Sequence, residues 1–115
     1  LPAQEPPYEL IRWDAPRPPE AALLERMMRR DGWEPVPDEL PAGAHTAELR
    51  YPGMLSRVVL SGCLQVACPG YGVVDLHPGD QLTLEAGLVH DLTAQGGEPA
   101  AFLAAARQAG QSPLS

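Results

Sequence analysis

The sequence predicts an all-β domain, an antiparallel sandwich or barrel with one helix near the N-terminus. From Gly32 onward, short apolar segments are separated by turn signals, and no second helical pattern stands out. One earlier stretch has the spacing of apolar residues that is typical of a helix. The 115 residues, 44% of them hydrophobic and 20% charged, suit one globular domain with its own core.

The helix is predicted in the segment PPEAALLERMMRRDG, residues 18–32. Pro18 and Pro19 suit a first helical turn, and the Asp31-Gly32 pair suits a helix end. The apolar residues fall on one stripe, which is more typical of core packing than of a ligand surface. Packing of this stripe across a dimer interface is the alternative. The stripe consists of Leu23, Leu24, Met27 and Met28.

The strand-like segment YELIRW, residues 8–13, lies in a Pro-rich N-terminal stretch. It predicts an extended arm or an edge strand, because Pro cannot donate to a central ladder. The segment AAFLAAA is ambiguous by propensity, but its place as the last segment favours a strand. The other predicted strands also follow turn signals. Together the seven strands after the helix are predicted at 44–51, 55–61, 63–68, 71–76, 80–85, 88–94 and 99–106.

These elements divide the chain into three parts. Residues 1–35 form an arm and a helix that pack on a barrel, residues 36–107 form the barrel, and residues 108–115 form a frayed tail.

The charge balance disfavours nucleic acid and anionic membrane surfaces as partners. The formal net charge is −7, with eight Arg and no Lys. No apolar run approaches the length of a membrane span, and a cytoplasmic protein is expected. The absence of Asn, together with 14 Pro, fits a thermophile, and the scarcity of residues with AT-rich codons suggests a GC-rich bacterial genome.

The two cysteines do not form a zinc site by themselves. If residues 63–68 are one strand, Cys63 and Cys68 point to opposite faces, and both are expected to be reduced. Neither has a predicted basic neighbour that would activate its thiol.

The segment GDQLTLEAGLVH, residues 79–90, combines two glycines, strand-like alternation and a terminal His. Its spacing follows the pattern G-x5-P-x-G-x2-H-x3-N. Gly79, Gly87 and His90 keep that pattern, whereas Glu85 replaces the Pro and Ala94 replaces the Asn.

This pattern is the second motif of the cupins, which are small jelly-roll β-barrels. The HPGD sequence at 77–80 and VLSGCLQV at 59–66 are also similar to cupin sequences. Residues 40–106 therefore resemble the cupin family, and the resemblance implies a jelly-roll barrel. The first cupin motif, G-x5-H-x-H-x3-E-x6-G, is kept in spacing alone, from Gly43 to Gly62.

The resemblance implies a metal site only where the first motif supplies two His and a Glu. Here these positions are Leu49, Tyr51 and Leu55, so of the four expected ligands only His90 remains. One imidazole does not hold a divalent metal against water, and no metal or other cofactor is expected. The alternative is Fe, Mn, Ni or Zn bound by His90 with atypical ligands. Those ligands are Glu85 or His45, of which His45 shares a strand face with Leu49 by alternation.

The lumen of the barrel is therefore expected to be apolar with a few polar groups, which is the usual form of a small-molecule site. Tyr51, Arg57 and His90 are its predicted polar groups. A buried Arg57 would need Glu85, Asp91 or an anionic ligand as its partner. By strand alternation the candidate ligand-binding residues of the lumen are His90, Tyr51, Arg57, Leu49, Leu55, Leu88 and Leu92, joined on the inward face by Val59.

Three functions follow from this interpretation. The first is a binding module that holds a small, possibly anionic, molecule in the lumen. The second is an enzyme, either a dioxygenase-like or isomerase-like metal enzyme or one in which His90 and Tyr51 act as acid and base. The third is a structural dimerisation domain, since exposed sheet edges pair across two-fold axes, and a homodimer is expected.

Overall fold

The computed structural model describes residues 6–107, and the predicted frayed tail at 108–115 lies outside them. The described residues form two antiparallel sheets and one helix, as the sequence predicts. The elements in chain order are β1 Tyr8–Ile11, α1 Ala21–Arg30, β2 Val36–Leu40, β3 His45–Leu49, β4 Met54–Ser61, β5 Cys63–Cys68, β6 Gly72–Leu76, β7 Gln81–Leu84, β8 His90–Gln95 and β9 Ala100–Arg107.

The strand order is β1-β7-β4-β9-β2 in the first sheet and β3-β8-β5-β6 in the second. Consecutive strands are mostly not neighbours, so the chain crosses between the sheets and closes them around one inner core. This core is made by the inward side chains of both sheets, which include Val59, Leu64, Val66, Leu82, Leu92 and Phe102.

A second, smaller core lies on the outer face of the first sheet, where α1 packs. Leu24 and Met28 of the predicted stripe are buried there against Val58 of β4 and Leu103 of β9. Central strand β4 is therefore buried on both faces from Leu55 to Val59, and this stretch includes the polar Ser56 and the charged Arg57. The helix begins at Ala21, after the two prolines, and ends before Gly32, whose φ of 86° only Gly adopts without strain. A ten-residue helix is too short to cross a membrane, and the described residues contain no helix that could.

The N-terminal arm is fixed to the barrel by Asp80. This buried carboxylate accepts hydrogen bonds from the backbone N–H groups of Trp13 (2.9 Å) and His77 (2.9 Å) and from Nη1 of Arg12 (2.8 Å). At Gly79, a Cβ atom would lie 2.6 Å from the Trp13 side chain. The Gly-Asp pair of the second motif therefore has a structural role, because it holds the N-terminal arm against the barrel.

Strand β2 was not predicted from the sequence. The segment VPDEL contains Pro37, Asp38 and Glu39, which are all depleted in strands. It forms a strand because it lies at the edge of the first sheet and pairs with β9. The ambiguous AAFLAAA segment is the strand β9, enclosed between β4 and β2.

Candidate functional site

The lumen contains a hydrogen-bonded pair of Arg57 and His90. Nη1 of Arg57 donates to Nε2 of His90 at 2.9 Å, and the two residues are 8% and 1% exposed. Neither their separation in sequence nor any local motif predicts this bond. It forms because β4 and β8 face each other across the lumen from different sheets.

Each residue is aimed inward by the alternation of its strand. On β4, Arg57 lies between Leu55 and Val59 on the inner face, while Val58 points to the helix. His90 is the first residue of β8, opposite Leu49 of β3. The sequence analysis therefore placed Arg57 and His90 on the correct face, although it did not predict that they touch.

The hydrogen bonds determine the protonation of His90. Its Nδ1 lies 3.0 Å from the carbonyl oxygen of Leu88, which can only accept, so Nδ1 carries a proton. The guanidinium of Arg57 can only donate, so Nε2 must be an unprotonated acceptor. His90 is thus the neutral Nδ1–H tautomer. Burial and the nearby Arg57 charge lower the pKa of His90, in agreement with this state.

The charge of Arg57 is not neutralised by a carboxylate in direct contact. Burial lowers the pKa of Arg57 to about 10, so the guanidinium remains charged at neutral pH. Among residues 6–107, its hydrogen-bond partner is the neutral His90, and its buried Nε has none. The largest favourable electrostatic effect on the pKa of Arg57 comes from Asp38, an exposed residue on edge strand β2. Buried guanidinium groups are normally paired, so this one is unusual.

The two carboxylates expected to pair with Arg57 do not do so. Asp91 follows His90 on the strand and points to the opposite face, where its Oδ1 accepts the backbone N–H of Glu48 at 2.8 Å. Glu85 is exposed and lines a cavity on the outer side of the first sheet. Of the three partners considered for Arg57, the two carboxylates are therefore ruled out, because both side chains leave the lumen.

The apolar part of the lumen agrees with the sequence analysis. Leu55 and Leu92 are buried, and Leu49 and Leu88 are half-buried against the inner core. Leu49 and Leu88 lie at the end of the barrel where β3 stops and β8 begins, beside His90.

Tyr51 does not line the lumen as expected. β3 ends at Leu49, so the alternation that would turn Tyr51 inward no longer applies, and the side chain is 38% exposed. Its carbonyl oxygen accepts the N–H of Gly87 at 2.7 Å. Tyr51 therefore lies at the end of the barrel and helps to fix the loop before β8.

A β-bulge in β3 overturns the expectation that His45 and Leu49 share a face. His45 pairs with Thr93 and Leu49 pairs with His90, with a register shift between Thr46 and Leu49. Glu48 in this bulge has a φ of 56°, which is strained for a residue with a side chain. Because the extra residue reverses the alternation, His45 points outward and its Nδ1 contacts the hydroxyl of Thr93 at 2.8 Å.

The cysteines are both free, and their side chains occupy opposite faces of β5 as predicted. Cys68 is buried in the inner core, whereas Cys63 is partly exposed. The expectation that neither thiol has a basic neighbour was wrong, since the charge of Arg57 acts to lower the pKa of Cys68 and that of Arg12 acts to lower the pKa of Cys63. Burial has the larger effect, and the pKa of Cys68 lies above its ordinary value. Cys68 is thus a protonated part of the lumen wall.

The residues of the lumen do not fit the metal site that the cupin resemblance suggests. Leu49 and Leu55 have no donor atoms, and the exposed Tyr51 lies at the barrel end. The imidazole nitrogen that could bind a metal accepts a hydrogen bond from a cation. No group of three His, Cys, Asp or Glu among residues 6–107 is arranged to hold a metal ion. The atypical ligands considered, Glu85 and His45, both point away from His90.

A separate polar network lies on the outer face of the first sheet and was not found from the sequence. The fully buried Ser56 accepts a hydrogen bond from Nε2 of Gln81 at 2.8 Å and lies 3.0 Å from the hydroxyl of Thr83. Gln81 and Thr83 also line a cavity of about 390 Å³ beside Trp33. Neither Arg57 nor His90 lines this cavity, so it is distinct from the lumen.

Comparison with solved structures identifies the fold. A cupin 2 domain-containing protein from Halorhodospira halophila matches with a TM-score of 0.66 and 18% identity, over 89% of this chain and 79% of that one. A cupin superfamily protein from Desulfitobacterium hafniense matches with a TM-score of 0.59 and 15% identity, over 94% and 84%. A DUF861-family protein from Thermotoga maritima matches with a TM-score of 0.57 and 14% identity, over 87% and 99%.

Residues 6–107 therefore form an antiparallel β-barrel with one helix on its outer face. More specifically, it has the cupin fold, as the spacing of Gly79, Gly87 and His90 predicted. No protein-family model and no curated protein matches the chain. Likeness at these identities establishes the fold, and function has to be argued from the lumen itself.

Proposed function

We propose that this protein is a small-molecule binding module that holds an anionic ligand in the lumen of its cupin-fold barrel, beside Arg57 and His90. The observation that carries the proposal is the buried guanidinium of Arg57, whose direct partner is a neutral imidazole and whose Nε is unpaired among residues 6–107. An uncompensated buried charge is costly, and a bound anion would offset that cost.

The surroundings of the pair support a binding role. The half-buried side chains of Leu49 and Leu88 lie at the barrel end where β8 begins with His90. The overall charge of −7 would repel an anion at long range, so selectivity must come from contacts inside the barrel. A buried, oriented guanidinium supplies such contacts.

A thermal unfolding series tests this proposal. The wild type is titrated with short-chain carboxylates, phosphate and sulfate at constant ionic strength, with chloride as the reference salt. A ligand at about 100 times its Kd should stabilise the protein by about 2.7 kcal/mol. Arg57→Met should abolish this stabilisation while changing the free energy of unfolding without ligand by about 1 kcal/mol or less, since an apolar side chain of similar length replaces the charge.

The matched control is Arg50→Met, which removes the same charge from an exposed position. It should keep the anion-dependent stabilisation. Failure of every anion to stabilise the wild type, or equal stabilisation of the Arg57→Met variant, would contradict the proposal. Severe destabilisation by Arg57→Met together with no anion effect would assign Arg57 a structural role instead.

A further inference from the structure

The hydrogen bond between His90 and one nitrogen of the Arg57 guanidinium indicates which class of anion the lumen accepts. A guanidinium has two kinds of donor edge. Nε–H and one N–H of Nη2 are parallel and form a side-on edge, whereas the two Nη groups form an end-on edge. His90 accepts from Nη1, which is not part of the side-on edge. The buried Nε, which belongs to the side-on edge, has no partner among residues 6–107.

From this arrangement we infer that the ligand is a monocarboxylate, bound side-on by Nε and Nη2 of Arg57 while Nη1 remains on His90. This inference rests on the proposed function and names its ligand class. The spacing of two parallel N–H donors matches the two oxygens of a planar carboxylate. His90 then acts as a positioning residue, because its neutral Nε2 holds the guanidinium plane in one orientation.

The charge of the site selects a monoanion. His90 is neutral and Arg57 carries a single positive charge, so one carboxylate leaves the lumen neutral. Phosphate carries about −1.5 to −2 at neutral pH and would bring uncompensated negative charge among leucine side chains. A dicarboxylate would do the same unless its second group reached solvent.

The side chains that line the lumen indicate what kind of group is attached to the carboxylate. Leu55, two residues before Arg57 on β4, and Leu92, two residues after His90 on β8, are buried, and Leu49 and Leu88 are half-buried at the barrel end. An aliphatic carbon chain attached to the carboxylate would pack against these side chains. The ligand class is therefore a short monocarboxylate with an apolar tail.

In this arrangement a guanidinium takes the place of a metal cation. The cupin resemblance implies a metal ligand at the position of His90. Here the unprotonated Nε2 of His90 accepts a hydrogen bond from the charged Arg57 instead. A divalent ion would have to displace that guanidinium and find donors that Leu49 and Leu55 lack. The same lumen can thus attract a carboxylate through a side chain of the protein itself.

The experiment is an NMR titration that observes the Nε–H group of Arg57 directly. The chain has eight Arg and no Lys, so a ¹⁵N-labelled sample gives few side-chain Nε–H signals, and the one missing from Arg57→Met identifies residue 57. Butyrate should shift this signal saturably, whereas phosphate and sulfate at the same ionic strength should shift it little. Butylamine has the same apolar tail but is a cation at neutral pH, so as the control it should leave the signal unchanged.

The variant Arg57→Lys separates side-on geometry from charge. Lysine keeps the positive charge but has no parallel pair of donors, so butyrate should bind about tenfold more weakly or worse. His90→Gln should weaken butyrate binding less than Arg57→Lys, because Gln can still accept from Nη1. If Arg57→Lys does not fold, the preference of the wild type for butyrate over phosphate still decides the matter.

The outcomes distinguish the two proposals. If phosphate or sulfate binds as tightly as butyrate through Arg57, or if Arg57→Lys binds butyrate as well as the wild type, the monocarboxylate inference is wrong and anion binding stands. If butyrate stabilises the protein without moving the Arg57 signal, side-on binding is wrong. If no anion binds at all, the proposed function fails as well.

Discussion

The buried charged residues Asp80 and Arg57 differ in how completely their hydrogen bonds are satisfied. Asp80, at the base of the N-terminal arm, accepts three hydrogen bonds, one of them from the cation Arg12. Arg57, in the lumen, has one neutral partner and an unpaired Nε among residues 6–107. A buried charge with all its hydrogen bonds made stabilises the fold. A buried charge with an unpaired donor can instead bind a ligand that supplies the missing hydrogen bonds.

The pKa values of the two residues reflect this difference. Burial alone would raise the pKa of Asp80, but the N–H groups of His77 and Trp13 and the guanidinium of Arg12 outweigh it and lower the pKa overall. For Arg57, burial lowers the pKa to about 10, and the favourable charges nearby do not restore it. The folded protein therefore stabilises the charge of Asp80 and destabilises that of Arg57.

The largest effect is expected from Asp80→Ala. This change leaves two backbone N–H groups and Arg12 without their shared acceptor, and it should lower the free energy of unfolding by about 3 kcal/mol. Urea denaturation measures this loss. Asp14→Ala removes the same charge from an exposed residue of the arm and should change stability by about 0.5 kcal/mol or less. An equal effect of both changes would show that Asp80 does not seat the arm.

The next effect separates the two glycines of the second motif. Both have positive φ, 90° at Gly79 and 80° at Gly87, so Ala is strained at either position. Only at Gly79 does the new Cβ also meet Trp13, whereas at Gly87 it meets open space. Gly79→Ala should cost about 2–3 kcal/mol and Gly87→Ala about 1 kcal/mol in thermal unfolding. Equal losses of stability in the two variants would mean that the arm moves away from the new Cβ at position 79 without a cost in free energy.

The smallest effect is a dependence of stability on pH that comes from His90. Its folded pKa lies below the ordinary 6.5, so below pH 6.5 the unfolded chain takes up a proton that the folded protein resists. This contribution to stability is complete above pH 6.5 and is lost as the pH falls towards the folded pKa. The slope should be at most one proton, and His90→Gln should remove it from urea denaturation midpoints measured across pH 5–8.

Asp80 contributes in a different pH window, which sharpens the comparison. Its folded pKa is below the ordinary 3.8, so its contribution is present above that value and is lost as the pH falls through the folded pKa. A slope above pH 5 that survives His90→Gln would point to a group other than these two.

Much of the fold could be read from local patterns. The period of the helical stripe, the turn signals and the spacing of Gly79, Gly87 and His90 predicted an all-β cupin-like domain with one helix, because these features depend on neighbours in sequence. The one strand missed, β2, has weak local propensity and is stabilised by pairing with β9. Local rules do not include such long-range pairing.

The candidate site was predicted only in part, and the errors have specific causes. Alternation placed Arg57 and His90 inward correctly, since β4 and β8 are regular at those positions. It failed for His45 because of the bulge at Glu48, and for Tyr51 because β3 ends at Leu49. A one-residue irregularity reverses a strand face, and nothing in the sequence marks it as clearly as a glycine would.

The sequence by itself determined the class of fold, the inward direction of Arg57 and His90, and the absence of donor atoms at Leu49 and Leu55, where the cupin resemblance expects metal ligands. Only the tertiary structure decided that the guanidinium faces the imidazole, that Glu85 and Asp91 turn away from it, and that Asp80 anchors the arm. The physical reason is that burial and hydrogen bonding of a charge depend on strands far apart in sequence, whereas periodicity depends on residues close together.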